Sequence, residues 1–323
     1  MPVSIGLLEK CPSSKLQSSF FPSKVGGKPA WLSLDPLPSY SDLSCAQCKK
    51  VTIFLCQVYA PFEHTPCEQL QRDENFHRTL FVFVCRNSAC SSPDIKVFRS
   101  ALARTNDFYP FSPVEDAVSL VDVCNLCGIS AHQRCGQCKK VIYCCKEHQV
   151  IDWKSGHKQQ CKLGVNSESS GEFLFPEWEL LNDFESKEED HKDEAIVKDI
   201  NIGSLADVSE SDLEPFASKT RDKTFSKFKE KTANDPYQVI RYERGGQPLL
   251  IAENPIPSHI PNCEYCGCTR IFEFQIMPQM LYELNEKHLD WGVLLIYTCK
   301  DSCKGDSINS YKREFVFQQN VAE

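Results

Sequence analysis

Apolar residues in this chain come in short runs rather than long periodic stretches. Ile53-Phe54-x-x-Gln57-Val58, Leu80 to Phe83, Val97-Phe98, Ile271-Phe272-x-x-Gln275-Ile276, Leu294 to Tyr297 and Phe315 to Phe317 are each rich in β-branched and aromatic residues. Gly, Pro and Asn turns bound them, which is the signature of strands. One helix is expected: the charge-mixed stretch Lys219 to Lys231, with Phe225 and Phe228 three apart, reads as a short helix. Between these patterns, Phe173 to Trp178 is aromatic enough to be docked. Glu185 to Glu194 (ESKEEDHKDE) is a charge run that cannot bury enough apolar area to order itself.

The strand pattern occurs twice. Gly26-Gly27-Lys28-Pro29 returns as Gly245-Gly246-Gln247-Pro248, Pro36-Leu37-Pro38-Ser39 as Pro255-Ile256-Pro257-Ser258, and Cys45/Cys48 as Cys263/Cys266. The run ending at Cys85 parallels the run ending at Cys299. These matches keep one order and a near-constant offset, so they describe a duplicated unit of about 75 residues. The fold class read from this is mainly β, or α+β: a duplicated β-rich unit interrupted by a cysteine-rich finger and an acidic linker. The boundaries are an N-terminal copy at 1–115, the finger at 120–162, a partly disordered linker at 163–233 and a C-terminal copy at 234–323. The two copies either pair into one pseudo-symmetric domain or stay separate.

The finger carries the chemistry. Cys124, Cys127, Cys135, Cys138, Cys144, His148, His157 and Cys161 lie within one short stretch. Eight donors suit two tetrahedral zinc sites with no open coordination position, which hold a fold together. Cys45, Cys48, Cys85 and Cys90 could form one further site, and Cys263, Cys266, Cys299 and Cys303 another. The alternative is that these eight are buried reduced thiols among the strands. Cys11, Cys56, Cys67 and Cys268 have no counterpart in the other copy and read as ordinary.

Composition narrows the function. Of 323 residues, 36 are basic and 44 acidic, so the net charge is −8, which disfavours direct nucleic-acid binding and suits a basic protein partner. Nineteen cysteines, clustered in C-x-x-C pairs, read as metal ligands in a reducing compartment. No signal peptide or membrane span is expected. Nor is an enzyme: no Ser/His/Asp order, P-loop or H-E-x-x-H appears.

Two resemblances go further. The finger resembles the MYND zinc finger, whose ligands interleave. That resemblance implies one zinc on Cys124, Cys127, Cys144 and His148, and another on Cys135, Cys138, His157 and Cys161. His148 stands where the family has cysteine, and Cys145 where it usually has serine and is no ligand. By the same resemblance, Gln149 and Trp153 match positions that contact proline-containing peptides; otherwise Trp153 packs the finger. The whole chain, through AWL at Ala30 to Leu32, F-x-V-C-R at Phe83 to Arg86, QVIRY at Gln238 to Tyr242 and FEFQ-x-MPQ from Phe272, resembles the programmed cell death protein 2 family. The resemblance implies a dedicated chaperone of a small-subunit ribosomal protein, the eukaryotic S2 type, supporting 40S ribosome biogenesis in cytoplasm and nucleus. The rival reading is a MYND-centred adaptor that recruits transcriptional regulators through proline-rich peptides.

Overall fold

The computed structural model describes residues 3–62, 73–112, 121–164, 173–185, 223–305 and 311–320. Cys67, the charge run beyond Glu185 and the start of the expected Lys219 to Lys231 helix lie outside them. The described part of that helix spans Lys223–Ala233, burying Phe228 and Thr232 on one face.

The strands are β1 (Ser4–Glu9), β2 (Lys24–Val25), β3 (Ile53–Tyr59), β4 (His77–Val84), β5 (Ile95–Leu102), β6 (Gln133–Arg134), β7 (Ile142–Tyr143), β8 (Trp178–Phe184), β9 (Ile240–Tyr242), β10 (Arg270–Ile276), β11 (Val293–Cys299) and β12 (Lys312–Gln319). All except the finger hairpin β6–β7 close into one barrel in the order β1-β8-β2-β3-β4-β5-β12-β11-β10-β9. The question left open by the repeat is thus decided: the copies are two halves of one barrel. They meet directly where β5 pairs with β12, Arg99 opposite Lys312 through Val97 opposite Glu314. At the other junction β1 and β8 lie between β9 and β2.

The residues of β3, β4 and β11 are buried almost throughout. Strands covered on both faces read as continuous apolar runs, which is why no alternation marks them. The halves also share a bulge. Register shifts between Phe54 and Cys56 in one copy and between Phe272 and Phe274 in the other. Gln57 and Gln275 then play matching roles. Each accepts from and donates to the backbone of one loop residue, Ala30 (2.9 and 3.2 Å) or Leu249 (2.7 and 2.9 Å). A buried amide with both ends satisfied fixes each loop on its strand.

The 163–233 segment is more than a linker. Phe175 is buried at 2% exposure, and β8 pairs with β1 along its length from Glu179 to Phe184. The aromatic stretch is docked because it leads into a barrel strand.

At the seam, charge is buried. Arg78 of β4 is hydrogen-bonded through both terminal nitrogens to Glu273 of β10, with both side chains at 0% exposure. These strands are not neighbours, so the pair ties the N-terminal copy to the C-terminal one. Arg99 binds Glu314 at 2.7 Å, and Arg270 binds the other oxygen of that carboxylate at 2.9 Å. Glu273 also accepts from the hydroxyls of Tyr242 and Thr298. Burial would raise the Glu273 pKa; the Arg78 charge and hydrogen bonds overcome this and hold it at about 2.

Candidate metal centres

Each C-x-x-C pair sits on the same turn, built four times. The residue after the second cysteine donates its N–H to the carbonyl of the first: Lys49 to Cys45, Gly128 to Cys124, Lys139 to Cys135 and Gly267 to Cys263, at 2.8 to 3.0 Å. That residue has positive φ each time, 60°, 76°, 57° and 74°. Glycine takes this conformation at little cost, whereas the lysines take it against their Cβ. The turn leaves both sulfurs on one side, which is what a tetrahedral ion needs from two donors of one strand of chain.

A second pair of donors meets each turn. The groups are Cys45, Cys48, Cys85 and Cys90; Cys124, Cys127, Cys144 and His148; Cys135, Cys138, His157 and Cys161; and Cys263, Cys266, Cys299 and Cys303, with donor atoms within 4.8 Å of one another in each. The expected interleaving and all sixteen expected donors are thus brought together. The spacings can be set against those of a tetrahedral zinc site. Zn–S bonds of ~2.3 Å and Zn–N bonds of ~2.0 Å imply tetrahedral edges of roughly 3.8 Å for S···S and 3.6 Å for S···N. Observed separations are 3.8 Å for Cys45–Cys90, 3.5 Å for Cys48–Cys85, 3.7 Å for Cys127–Cys144, 3.9 Å for Cys135–Cys161, and 3.6 Å for both Cys263–Cys303 and Cys266–Cys299. Cys138 lies 3.6 Å from His157 Nε2 and Cys124 lies 3.8 Å from His148 Nδ1. Such distances are far beyond a disulfide's ~2.05 Å, and every described cysteine is free. Donor type and number suit zinc in each group, and these spacings approach its tetrahedral edges, with Cys144 to His148 Nδ1 shorter at 3.1 Å.

His148 reaches its site from the helix Lys146–Asp152. Cys145 caps that helix, its sulfur accepting the His148 N–H at 3.5 Å, and belongs to no donor group. Asp152, buried, accepts from Tyr143 at 2.7 Å and Asn125 at 2.9 Å, holding the finger's two ends together. Gln149 is half-buried on the helix. Trp153 is also half-buried, its ring edge-on to His157 with centroids 5.7 Å apart. Cys56 is buried in β3, and Cys268 donates to Asp301.

The finger is docked, which sequence reasoning did not reveal. Trp31 donates its indole N–H to the Gly128 carbonyl at 2.7 Å. Lys50 pairs with Glu147, and finger and barrel share one hydrophobic cluster. The C-terminal centre is held differently. Arg99 donates to the Cys303 carbonyl at 3.1 Å and lies 3.9 Å from its sulfur. Ser302 accepts from both Arg78 and Arg99, and the Cys299 N–H goes to Glu314. Two arginines of one copy therefore clasp the metal loop of the other. Charged residues in strands carry no sequence sign that they are buried, so this contact had no legible signal.

Comparison with known proteins places these parts. Residues 2–116 match the family described as programmed cell death protein 2, N-terminal domain; 124–161 match the MYND finger; and 222–320 match programmed cell death protein 2, C-terminal putative domain. Mouse programmed cell death protein 2 is 40% identical over 347 residues, covering 100% of this chain and 97% of the mouse protein. Human programmed cell death protein 2-like is 26% identical, covering 92% and 89%. The probable 20S rRNA accumulation protein 4 of Schizosaccharomyces pombe is 37% identical over 94 residues, 25% of this chain and 24% of that protein. No solved structure matches the chain.

Proposed function

The chain belongs to the programmed cell death protein 2 family, and from that premise we propose that it is a non-enzymatic chaperone for a basic small-subunit ribosomal protein of the eukaryotic S2 type, supporting 40S biogenesis in cytoplasm and nucleus. Four zinc ions, two in the finger and one in each copy, build the scaffold. The observation that carries this reading is that every donor group is a closed set of four. Such sites leave no position for water or substrate, so the metals stabilise a surface rather than perform chemistry. Net charge −8 favours capture of a basic client, because opposite charge speeds encounter. The partial likeness to a 20S rRNA accumulation protein points the same way.

Protein purified from its own cells tests the proposal by elemental analysis together with identification of bound partners. Four zincs per chain and a stoichiometric small-subunit ribosomal protein are expected. Two zincs would confine metal to the finger. Proline-rich nuclear factors in place of the ribosomal protein would overturn the chaperone reading in favour of a MYND adaptor.

A further inference from the structure

One apolar surface is present twice in this molecule and carries the finger once; on the other copy its floor, Phe272 and Tyr297, lies in one cluster with Phe228 of the Lys223–Ala233 helix. On the N-terminal copy the Gly26–Trp31 loop and the start of β3 carry the finger. There the backbone approaches so closely that a Cβ on Gly128 would lie 2.8 Å from Lys28 Cβ. The repeat equates Lys28, Pro29 and Trp31 with Gln247, Pro248 and Leu250, and Leu37 with Ile256. The floors are alike too. Phe54 and Phe83 meet edge-on at 5.7 Å and 68°; their equivalents Phe272 and Tyr297 meet at 5.8 Å and 70°.

On the C-terminal copy this surface is an open cleft of about 430 Å³. Pro29 and Trp31 are buried or nearly so, whereas Pro248 and Leu250 are only half-buried. Ile256 is 52% exposed, whereas Leu37 is half-buried. Two charged side chains meet the cleft: the Glu243 carboxyl lies over Gly246, where a Cβ would meet it at 2.2 Å, and Arg270 in the lining is neutralised by Glu314 at 2.9 Å.

We propose that this cleft is where a basic client segment docks, entering as a tight turn with a small residue against Gln247 and Pro248 and an apolar side chain over Leu250 and Ile256. The Gly128 turn occupies the other copy in this manner. Charge selects the occupant. Residues 186–222 of the chain itself carry eleven acidic against five basic residues and would be repelled by Glu243, while a basic segment is attracted. The identity of the client rests on the chaperone reading above; the location of the site rests on the repeat.

The test titrates purified ribosomal protein S2 into the full-length, zinc-loaded chain at low and high salt. Ile256→Ser, exposed enough to leave folding intact, should weaken binding about tenfold. Glu243→Gln should weaken it about threefold and flatten the salt dependence. Tyr282→Ser, 87% exposed beyond the far end of β10, should leave affinity unchanged. If Ile256→Ser binds as wild type does, the cleft is not the site and the chaperone reading stands. If wild type itself fails to bind S2, that reading falls and this inference with it.

Discussion

The two copies share a strand plan, a bulge and a cysteine turn, yet they are finished by different means. The N-terminal copy is sealed by apolar contact: the finger lies on its loop, and Leu55 fills the bulge at 0% exposure. The C-terminal copy has Glu273 at the equivalent bulge position, also at 0% exposure, paired with Arg78 from the other copy. One half is therefore closed by burial and the other by a buried charge network that reaches its metal loop. Burial is tolerant and non-directional, whereas a buried ion pair depends on both partners being present. The halves should fail differently.

Removing metal donors gives the largest effect. Cys303→Ser should lose one zinc and, because the loop whose carbonyl Arg99 holds is then no longer fixed by metal, loosen the junction of the copies as well as the site. Apparent zinc-binding energies of roughly 10 kcal/mol or more are as large as the whole stability of a typical domain, so protease cleavage within the C-terminal copy is expected. Cys48→Ser should lose one zinc with damage confined to the N-terminal turns. An unchanged zinc content in either variant would mean that its cysteines are packed thiols.

The charge pair comes next. Arg78→Ala leaves Glu273 buried without its main partner and should cost about 3–5 kcal/mol. Replacing both, Arg78→Met with Glu273→Leu, makes the bulge resemble that of the N-terminal copy and should recover most of the loss. Acid sharpens the contrast. Because the folded Glu273 pKa is about 2, below its unfolded value of roughly 4.3, its contribution is complete above that unfolded value and is lost as pH falls toward 2. The stability gap between wild type and the double variant should change over that window in denaturant titrations, wild type losing ground as acid is added. A gap independent of pH would show that the pair is not ionised in the fold.

Smaller still is the finger's anchor. Trp31→Phe keeps the ring against Phe83 but removes the donor to Gly128, leaving a buried carbonyl without its partner. A cost of about 1–2 kcal/mol is expected, read as faster amide exchange throughout the finger but not in β10 to β12. Equal acceleration in both copies would contradict local docking.

What the sequence made legible follows from distance along the chain. The cysteine turns, the finger and the duplication are local patterns, and the four donor groups are built from them. The barrel's closure, the use of Trp178–Phe184 as a strand, and the Arg78–Glu273 and Arg99–Cys303 contacts join residues far apart in sequence. Arginine and glutamate in a strand read as solvent-facing, since burial of such groups is rare unless they are paired, and pairing is a property of the fold. The recurring Gln57 and Gln275 did stand out as a repeat; that each clamps a loop residue's backbone could not be read before the loops were placed.

The finest probe compares one turn in its two settings. Gly128 and Gly267 hold the same left-handed conformation, φ 76° and 74°, so replacing either by alanine incurs the same backbone strain, about 1 kcal/mol. Around Gly267 nothing lies within 4 Å of the added Cβ, whereas at Gly128 it would press on Lys28 and Pro29. Gly267→Ala should therefore cost about 1 kcal/mol and Gly128→Ala clearly more, measured as shifts in the denaturation midpoint. The excess at Gly128 isolates the close approach of finger and barrel from the turn itself. Equal losses would mean that the finger yields freely at this contact, and the N-terminal copy would then be no more tightly sealed than its partner.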